Sequence, residues 1–450
     1  MTDISAAPAS GSHRGSLLVQ DELTRKRNAA ETRFRLYGIV AISIAMLALA
    51  ALLISIFSAG MPAFRQTFVT IPIELPADKL DKSGTRDSAV MAKVTTVGYA
   101  KVINEALAAA LAAKGISTDG MTEKQIAGLL SPEAPAQLRN YVLANPAVVG
   151  TSLPEFELLA NGRVDGFFKG RVTMESAKLD SNITPEQLQV AQKMTDAGLM
   201  GKRFNWAFIT APDASDQRPE AAGLGVAILG SLYMMIVVLV LSLPIGVAAA
   251  VYLEEFAVKN FWTDLIEVNI ANLAAVPSIV FGILGLAVFI NFAGLPQSAP
   301  IVGGLVLTLM TLPRIIIPAR AALKAVPPSI RDAALGVGAS KVQSVFHHVL
   351  PLAAPGILTG MIIGLAQALG ETAPLLLIGM VAFVRDYPGG LPGGLFDPAT
   401  ALPVQVYSWT TRGDPGFVER ASGAIIVLLV FLLIMNAVAI VLRRRFERRW

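Results

Sequence analysis

Cysteine is missing from the 450 residues, histidine occurs only three times, and charged side chains make up just 16%. Without cysteine there are no disulfides, thiolate metal sites, cysteine nucleophiles or sulfur redox chemistry. The three histidines, His13, His347 and His348, sit outside the apolar runs, and neither HExxH nor GxSxG occurs. GxxxxGK[ST], the loop that cradles nucleotide phosphates, is also missing; Gly336 to Lys341 imitates it without its spacing or a preceding soluble strand. Enzyme classes therefore have little to stand on.

What the chain has is apolar sequence: 54% of its residues are hydrophobic, more than an ordinary soluble protein of this length carries. The net charge of +4 is not gathered into a nucleic-acid patch, because the basic residues flank apolar spans. Leu36 to Ser58 is charge-free and long enough to cross a hydrocarbon core of about 30 Å. It follows Arg25, Lys26, Arg27, Arg33 and Arg35. The stretch is too long and too late for a cleaved signal peptide and shows no small-residue cleavage pattern, so it reads as a first span over 36–58 behind a tail at 1–35.

Residues 61–220 are polar, with Pro, Asp and Lys among short periodic segments, and read as a water-soluble mixed α/β domain inserted after the first span. Val90 to Lys114 and Thr122 to Leu143 are predicted helices, and Phe156 to Val172 could pair as short strands. The region 221–442 then holds five more spans. Ala221 to Leu253 is one; Val268 to Pro313 crosses twice around a turn at Asn291 to Pro300; Lys341 to Glu371 encloses the next, and Ala421 to Leu442 is the last. A basic tail at 443–450 contains Arg443, Arg444, Arg445, Arg448 and Arg449.

Six crossings put both termini on one side, and the positive-inside tendency makes that side the cytoplasm. Glu254 to Glu267 and Ile315 to His348 are then cytoplasmic loops, and 61–220 lies outside. Arg320, Lys324, Arg331 and Lys341 agree with that placement.

Within the second loop, Pro327-Pro328-Ser329 leads into a segment whose Leu335, Gly338, Val342, Val345 and Val349 share one helical face. Periodicity alone predicts an amphipathic helix lying on the headgroups. Asp332 could also satisfy free amides in the first turn of that helix. Read in order, Asp332-Ala333-Ala334, three residues, Gly338, nine residues and His348-Val349-Leu350-Pro351 resembles the EAA loop of bacterial ABC importer permeases, EAA-x3-G-x9-I-x-L-P. The spacing matches throughout, with Asp for the usual Glu and His for the usual Ile.

That resemblance implies an all-α membrane protein with the six-helix ABC type I importer permease fold. It implies that the loop over 327–351 docks on a separate ATPase subunit. No cofactor is then expected on this chain, and ATP and Mg belong to the partner ATPase.

After the loop, Gly356, Gly360 and Gly364 recur at four-residue spacing and allow close helix approach, within the chain or across a subunit interface. Glu371 follows. An ionisable group at membrane depth costs about 2.5 to 3.5 kcal/mol on insertion scales, which marks a pathway, unless the span has already ended and Glu371 sits at the outer interface. The string Gly370-Glu371-Thr372-Ala373-Pro374-Leu375-Leu376 after an EAA loop is similar to PstA-type permeases of bacterial phosphate importers, over roughly residues 221 to 450.

The resemblance implies inorganic phosphate as cargo and a path near Glu371 and Thr372. It also implies a PstC-like permease partner, two PstB-like ATPase subunits and a periplasmic phosphate-binding protein. Gln367 stands where that family often has Arg, so a positive group would come from Arg314 or from the partner permease, although Arg314 could equally snorkel to the cytoplasmic interface. Tyr387 to Gly394 reads as a turn-rich outer connector. Two rival readings remain open: a permease for sulfate, molybdate or phosphonate, and a membrane sensor that binds its ligand in the outer domain.

Overall fold

The computed structural model describes residues 22–81, 84–118, 120–380 and 383–446. Residues 1–21 and 447–450 of the two expected tails, with His13, Arg448 and Arg449, lie outside the described residues. The chain divides into two units, the first ending at Ile56 and the second beginning at Phe57. Helix α1 (Glu22–Gly60), as far as Ile56, makes up the described part of the first unit and carries its charges in its first turns, ahead of the apolar run from Leu36.

In the second unit, strand β1 (Arg65–Glu74) is central because Val69, Ile71 and Ile73 alternate toward one buried face. Pro72, which cannot donate to a ladder, sits where the register slips between Ile71 and Ile73. Helix α2 (Thr96–Ala113) packs on β1 through Tyr99, Ile103, Leu107 and Leu111, and helix α3 (Ala134–Ala144) packs on α2. Strand β2 (Ser152–Leu159), helix α4 (Gly162–Phe168), helix α5 (Pro185–Asp196) and strand β3 (Met200–Phe204) complete this part. The sheet order is β2-β1-β3, antiparallel throughout.

Three local expectations change. The helix predicted over Val90 to Lys114 breaks at Ala92–Thr95, where Thr95 is extended and the β-branched run Val94-Thr95-Thr96 resists helix continuation. Thr122 does open a helix, with Gln125 completing a reciprocal cap, but the helix stops at Ala127. The chain there bridges to the sheet edge through Leu130 and Ala160 before α3 starts. Phe156 to Val172 is strand only to Leu159, because Asn161 caps α4 by accepting from the Arg163 amide.

The apolar part begins with α6 (Gly225–Val251), whose end widens into a π-turn at Tyr252–Phe256. Next come α7 (Phe261–Ala275) and α8 (Ser278–Leu284), the latter continuing through a π-turn to Phe292. They meet at a 105° bend, where Val276 is held extended by the following Pro277. Helix α9 (Pro300–Lys324), α10 (Pro328–Gly336), α11 (Lys341–Ser344), α12 (Leu350–Gly370), α13 (Leu402–Thr410) and α14 (Pro415–Phe446) follow. Among the described residues five helices are long and apolar enough to cross a membrane, and six if the bent pair is one span. The first leg of the expected double crossing is therefore bent, and α13 was not foreseen.

A second correction concerns the loop expected over Ile315 to His348. Helix α9 continues past Pro313 to Lys324 with Ile315, Ile316, Ala319 and Leu323 buried. Its charges do not end it, because Arg314 and Arg320 both face carboxylates on neighbouring segments.

The N-terminal end of α14 is held by a buried ionic network. Lys169 bonds Asp165 at 2.7 Å and Glu419 at 2.8 Å, and Arg171 reaches Glu419 at 2.8 Å. Asp165 also accepts from the Thr67 amide and hydroxyl on β1. Arg420, only 3% exposed, donates to Gln66 and to the carbonyls of Glu220 and Ala222. Ser131 donates to the Glu220 carboxyl, which burial pushes up from its ordinary value.

Replacing Arg420 by Met is expected to destabilise this part by about 3 to 5 kcal/mol, because three acceptors lose their donor and Asp165 and Glu419 lose a compensating charge. Thermal unfolding in detergent checks this: Arg420→Met should unfold well below the parent and Arg420→Lys in between, whereas an unchanged midpoint would mean that the network is dispensable.

Candidate coupling loop and translocation path

The loop after α9 is a helix, a turn and a second helix. Pro327 starts α10 with an extended backbone and no side-chain cap. Asp332 lies beyond the first turn, so the capping role considered for it is not realised. At the other end of α10 the Gly338 amide donates to the Leu335 carbonyl and the Ala339 amide to the Ala334 carbonyl. That is a Schellman closure, and it requires the left-handed backbone that Gly338 adopts at φ 91°. Ser340 and Gln343 then cap α11 reciprocally, and a π-turn at Val345–Val349 leads into α12.

The single amphipathic helix is therefore not formed. Ala334, Val345 and Val349 are buried, and the latter two pack in one core with Ala319, Leu323, Val326 and Ala353. Leu335 and Val342, expected on the same face, are exposed. With Val337, Phe346, Asp332 and Ala333 they form an outward surface.

Arg331 fixes this loop. Its guanidinium bonds the Glu255 carboxylate at 2.6 Å and the carbonyls of Val326 and Leu323 at 2.7 and 2.9 Å. The hydrogen bonds with Glu255 raise its pKa further, so it stays a cation throughout the accessible pH range. Arg320 bridges Glu254 at 3.4 Å and Glu267 at 2.7 Å, and the Lys341 ammonium lies 5.4 Å from the centre of the Phe256 ring. The two segments expected on the cytoplasmic face are thus stapled together. The acidic partners Glu254, Glu255 and Glu267 were not singled out from the sequence; the signal was an acidic pair at the end of a span opposite unpaired arginines.

Leu350 and Pro351 begin α12, and its glycines face α9. A methyl group on Gly356 would meet Ala322 at 2.7 Å, one on Gly360 would meet Pro318 at 2.7 Å, and one on Gly364 would meet Ile315 at 3.6 Å. The close approach is therefore within the chain.

Arg443 near the C-terminal end of α14 donates to Thr359 of α12 at 3.0 Å. Glu371 lies 12 residues further along (359 to 371), or about 18 Å up at helical rise. Helix α12 ends at Gly370, so Glu371 stands just past its C-terminus. Thr372 follows with its carbonyl accepting from the amides of Leu375 and Leu376 in the short helix Ala373–Leu377.

Arg314 comes within 4.0 Å of Glu371, and its Nη1 is buried with no hydrogen-bond partner among the described residues. Gln367 is exposed. The structure thus brings Arg314 and Glu371 together and leaves Gln367 on the outside of α12. A cation and an anion held 4.0 Å apart can exchange partners with a charged solute.

Residues 242–450 match the model of a family described as binding-protein-dependent transport system inner membrane component, and residues 21–178 match a domain of unknown function, DUF3333. A probable ABC transporter permease protein, YqgI of Bacillus subtilis (strain 168), is 32% identical over 248 residues, which is 53% of this chain and 82% of that protein. The phosphate transport system permease protein PstA of Mycobacterium leprae (strain TN) is 32% identical over 233 residues, 51% of this chain and 73% of that one. Among solved structures, a chain of the MetNI methionine ABC transporter in an inward-facing conformation overlays on 50% of this chain and 95% of its own, at 16% identity and a TM-score of 0.39.

The two loop glycines give opposite expectations. Gly338→Ala forces a side chain into the left-handed region at a cost of about 1 kcal/mol, whereas Gly336→Ala, at the helical end of α10 with open space around it, is neutral or stabilising. Hydrogen exchange over 334–340 checks this: Gly338→Ala should speed exchange of the Gly338 and Ala339 amides about fivefold and Gly336→Ala should not, while equal protection in both would refute the turn.

Proposed function

Since the chain belongs to the PstA-type permeases of the binding-protein-dependent transport family, we propose that it is the membrane-spanning subunit of an ATP-driven importer that carries inorganic phosphate across the inner membrane. The observation that carries this reading is the family match over 242–450, which takes in both the loop around Gly338 and Glu371. The chain breaks no bonds itself. ATP and Mg sit on two PstB-like subunits, the other half of the pathway comes from a PstC-like permease, and a phosphate-binding protein delivers the cargo outside. Both termini are cytoplasmic, and 61–220 forms the periplasmic domain.

In this account Asp332, Ala333, Ala334 and Gly338 form the docking segment, with exposed Leu335, Val337, Val342 and Phe346 as its apolar contacts. ATP-driven closure of the partner subunits displaces the segment. Arg331 passes that displacement to the ends of α6 and α9, because it bonds both. Near Glu371 an arriving phosphate competes for the Arg314 guanidinium, whose fork matches a phosphate edge. Glu371 neutralises Arg314 while the path is empty, which lowers the cost of a cation at mid-depth.

ATP-dependent uptake into vesicles carrying this chain and its co-purifying subunits tests the cargo. Phosphate uptake that resists excess sulfate and molybdate is expected, and uptake of either competitor in preference to phosphate would overturn the assignment. In the same vesicles Arg314→Ala and Glu371→Gln should each cut uptake by about tenfold or more with assembly intact, the equivalent of one charge-assisted hydrogen bond. Unchanged phosphate kinetics in both would remove this pair from the path.

A further inference from the structure

The membrane-proximal edge of the small sheet carries an aromatic cluster that neither the coupling loop nor the path uses. Phe64 packs edge-on against buried Phe208, with centroids 5.2 Å apart. Phe204 lies 6.3 Å beyond Phe64, and Trp206 lies 4.7 Å beyond Phe204. The rings become more exposed along this series: Phe208 is fully buried, Phe204 is 46% exposed and Trp206 is 69% exposed.

Two contacts set the depth of the cluster. A methyl group on Gly423 of α14 would meet Ala63 at 2.7 Å and the Phe208 ring at 2.9 Å, so these residues are level with Gly423. From Arg443 to Gly423 is 20 residues of continuous helix, or about 30 Å, the thickness of a hydrocarbon core. If Arg443 marks the inner interface, Gly423 marks the outer one. Strand β1 starts immediately after Phe64, and Arg65 pairs with Phe204 at the last rung of the sheet. The exposed rings therefore stand where the sheet meets the headgroups, the zone that indole and phenyl rings favour. Exposed Arg65 adds a cation at the level of the lipid phosphates.

We propose that Phe204 and Trp206, with Met61 and Arg65, form a lipid seat by which the outer sheet rests on the outer headgroup layer of the bilayer. The occupant is the bilayer itself and not a protein partner. An exposed indole so close to the outer end of a span would otherwise have to face water. The seat and the ionic network on Glu419 and Arg420 then hold the sheet at two points, one in lipid and one in protein. This rests on the chain spanning the membrane and is independent of the cargo.

The absence of cysteine makes the test direct. Single variants Trp206→Cys and Phe204→Cys carry a nitroxide label in the full-length chain, purified with its co-purifying subunits and reconstituted in phosphatidylethanolamine and phosphatidylglycerol vesicles. The unsubstituted complex provides the background to subtract. Leu179→Cys, at a position 93% exposed on the outer part, is the water reference, and Leu433→Cys, 66% exposed within α14, is the lipid reference.

Collision rates with oxygen and with a water-soluble nickel chelate are then compared. The oxygen-to-nickel ratio at 206 and 204 is expected to exceed that at 179 by about threefold and to fall below that at 433. A ratio equal to that at 179 would place the rings in water and overturn the proposal. Suppression of both collision rates would show that a protein covers them, and would overturn it equally.

Discussion

One guanidinium ties together three segments that would otherwise move separately. Arg331 bonds the Glu255 carboxylate at the end of α6 and the carbonyls of Leu323 and Val326 at the end of α9, while itself belonging to α10. The Leu323 carbonyl is in the last turn of α9 and the Val326 carbonyl just past it, where carbonyls lack the helical partner of interior positions. Glu255 is nearly buried and would be costly without a cation. The loop is thereby a rigid extension of the spans. The Schellman turn at Gly338 and the packing of Val345 and Val349 keep its far half equally fixed.

The same logic holds where α12 ends beside α9. Arg314 and Glu371 are each expensive in hydrocarbon, and each lowers the cost of the other at 4.0 Å. The separation is long for a bond, and Arg314 keeps a buried nitrogen unpartnered among the described residues. The pair is strong enough to be tolerated and loose enough to open. The break in α12 at Gly370 supports this, since it puts irregular backbone beside the charges, where a closed span would have none.

Much of this was legible in the residues because lipid imposes simple rules. Charge-free runs fall on the long apolar helices, and the segment from Asp332 to Pro351 falls on the helix, turn and helix between α9 and α12. Paired charges defeated the reading where they occurred: Arg314 and Arg320 looked like the start of a cytoplasmic loop, yet α9 runs through both because Glu371, Glu254 and Glu267 face them. Periodicity also misled at Leu335 and Val342, since a left-handed glycine between them resets the helical phase. The bend at Val276-Pro277 was signalled by proline, but its 105° angle depends on packing that no local pattern contains.

The central claim is that Arg331 transmits movement of the loop to the spans, and it is tested most directly by the ratio of phosphate imported to ATP hydrolysed in vesicles carrying Arg331→Met. The account predicts that hydrolysis by the partner subunits continues while import per ATP falls severalfold, because the loop is no longer fixed to α6 and α9. A parental ratio in a fully assembled Arg331→Met complex would contradict it.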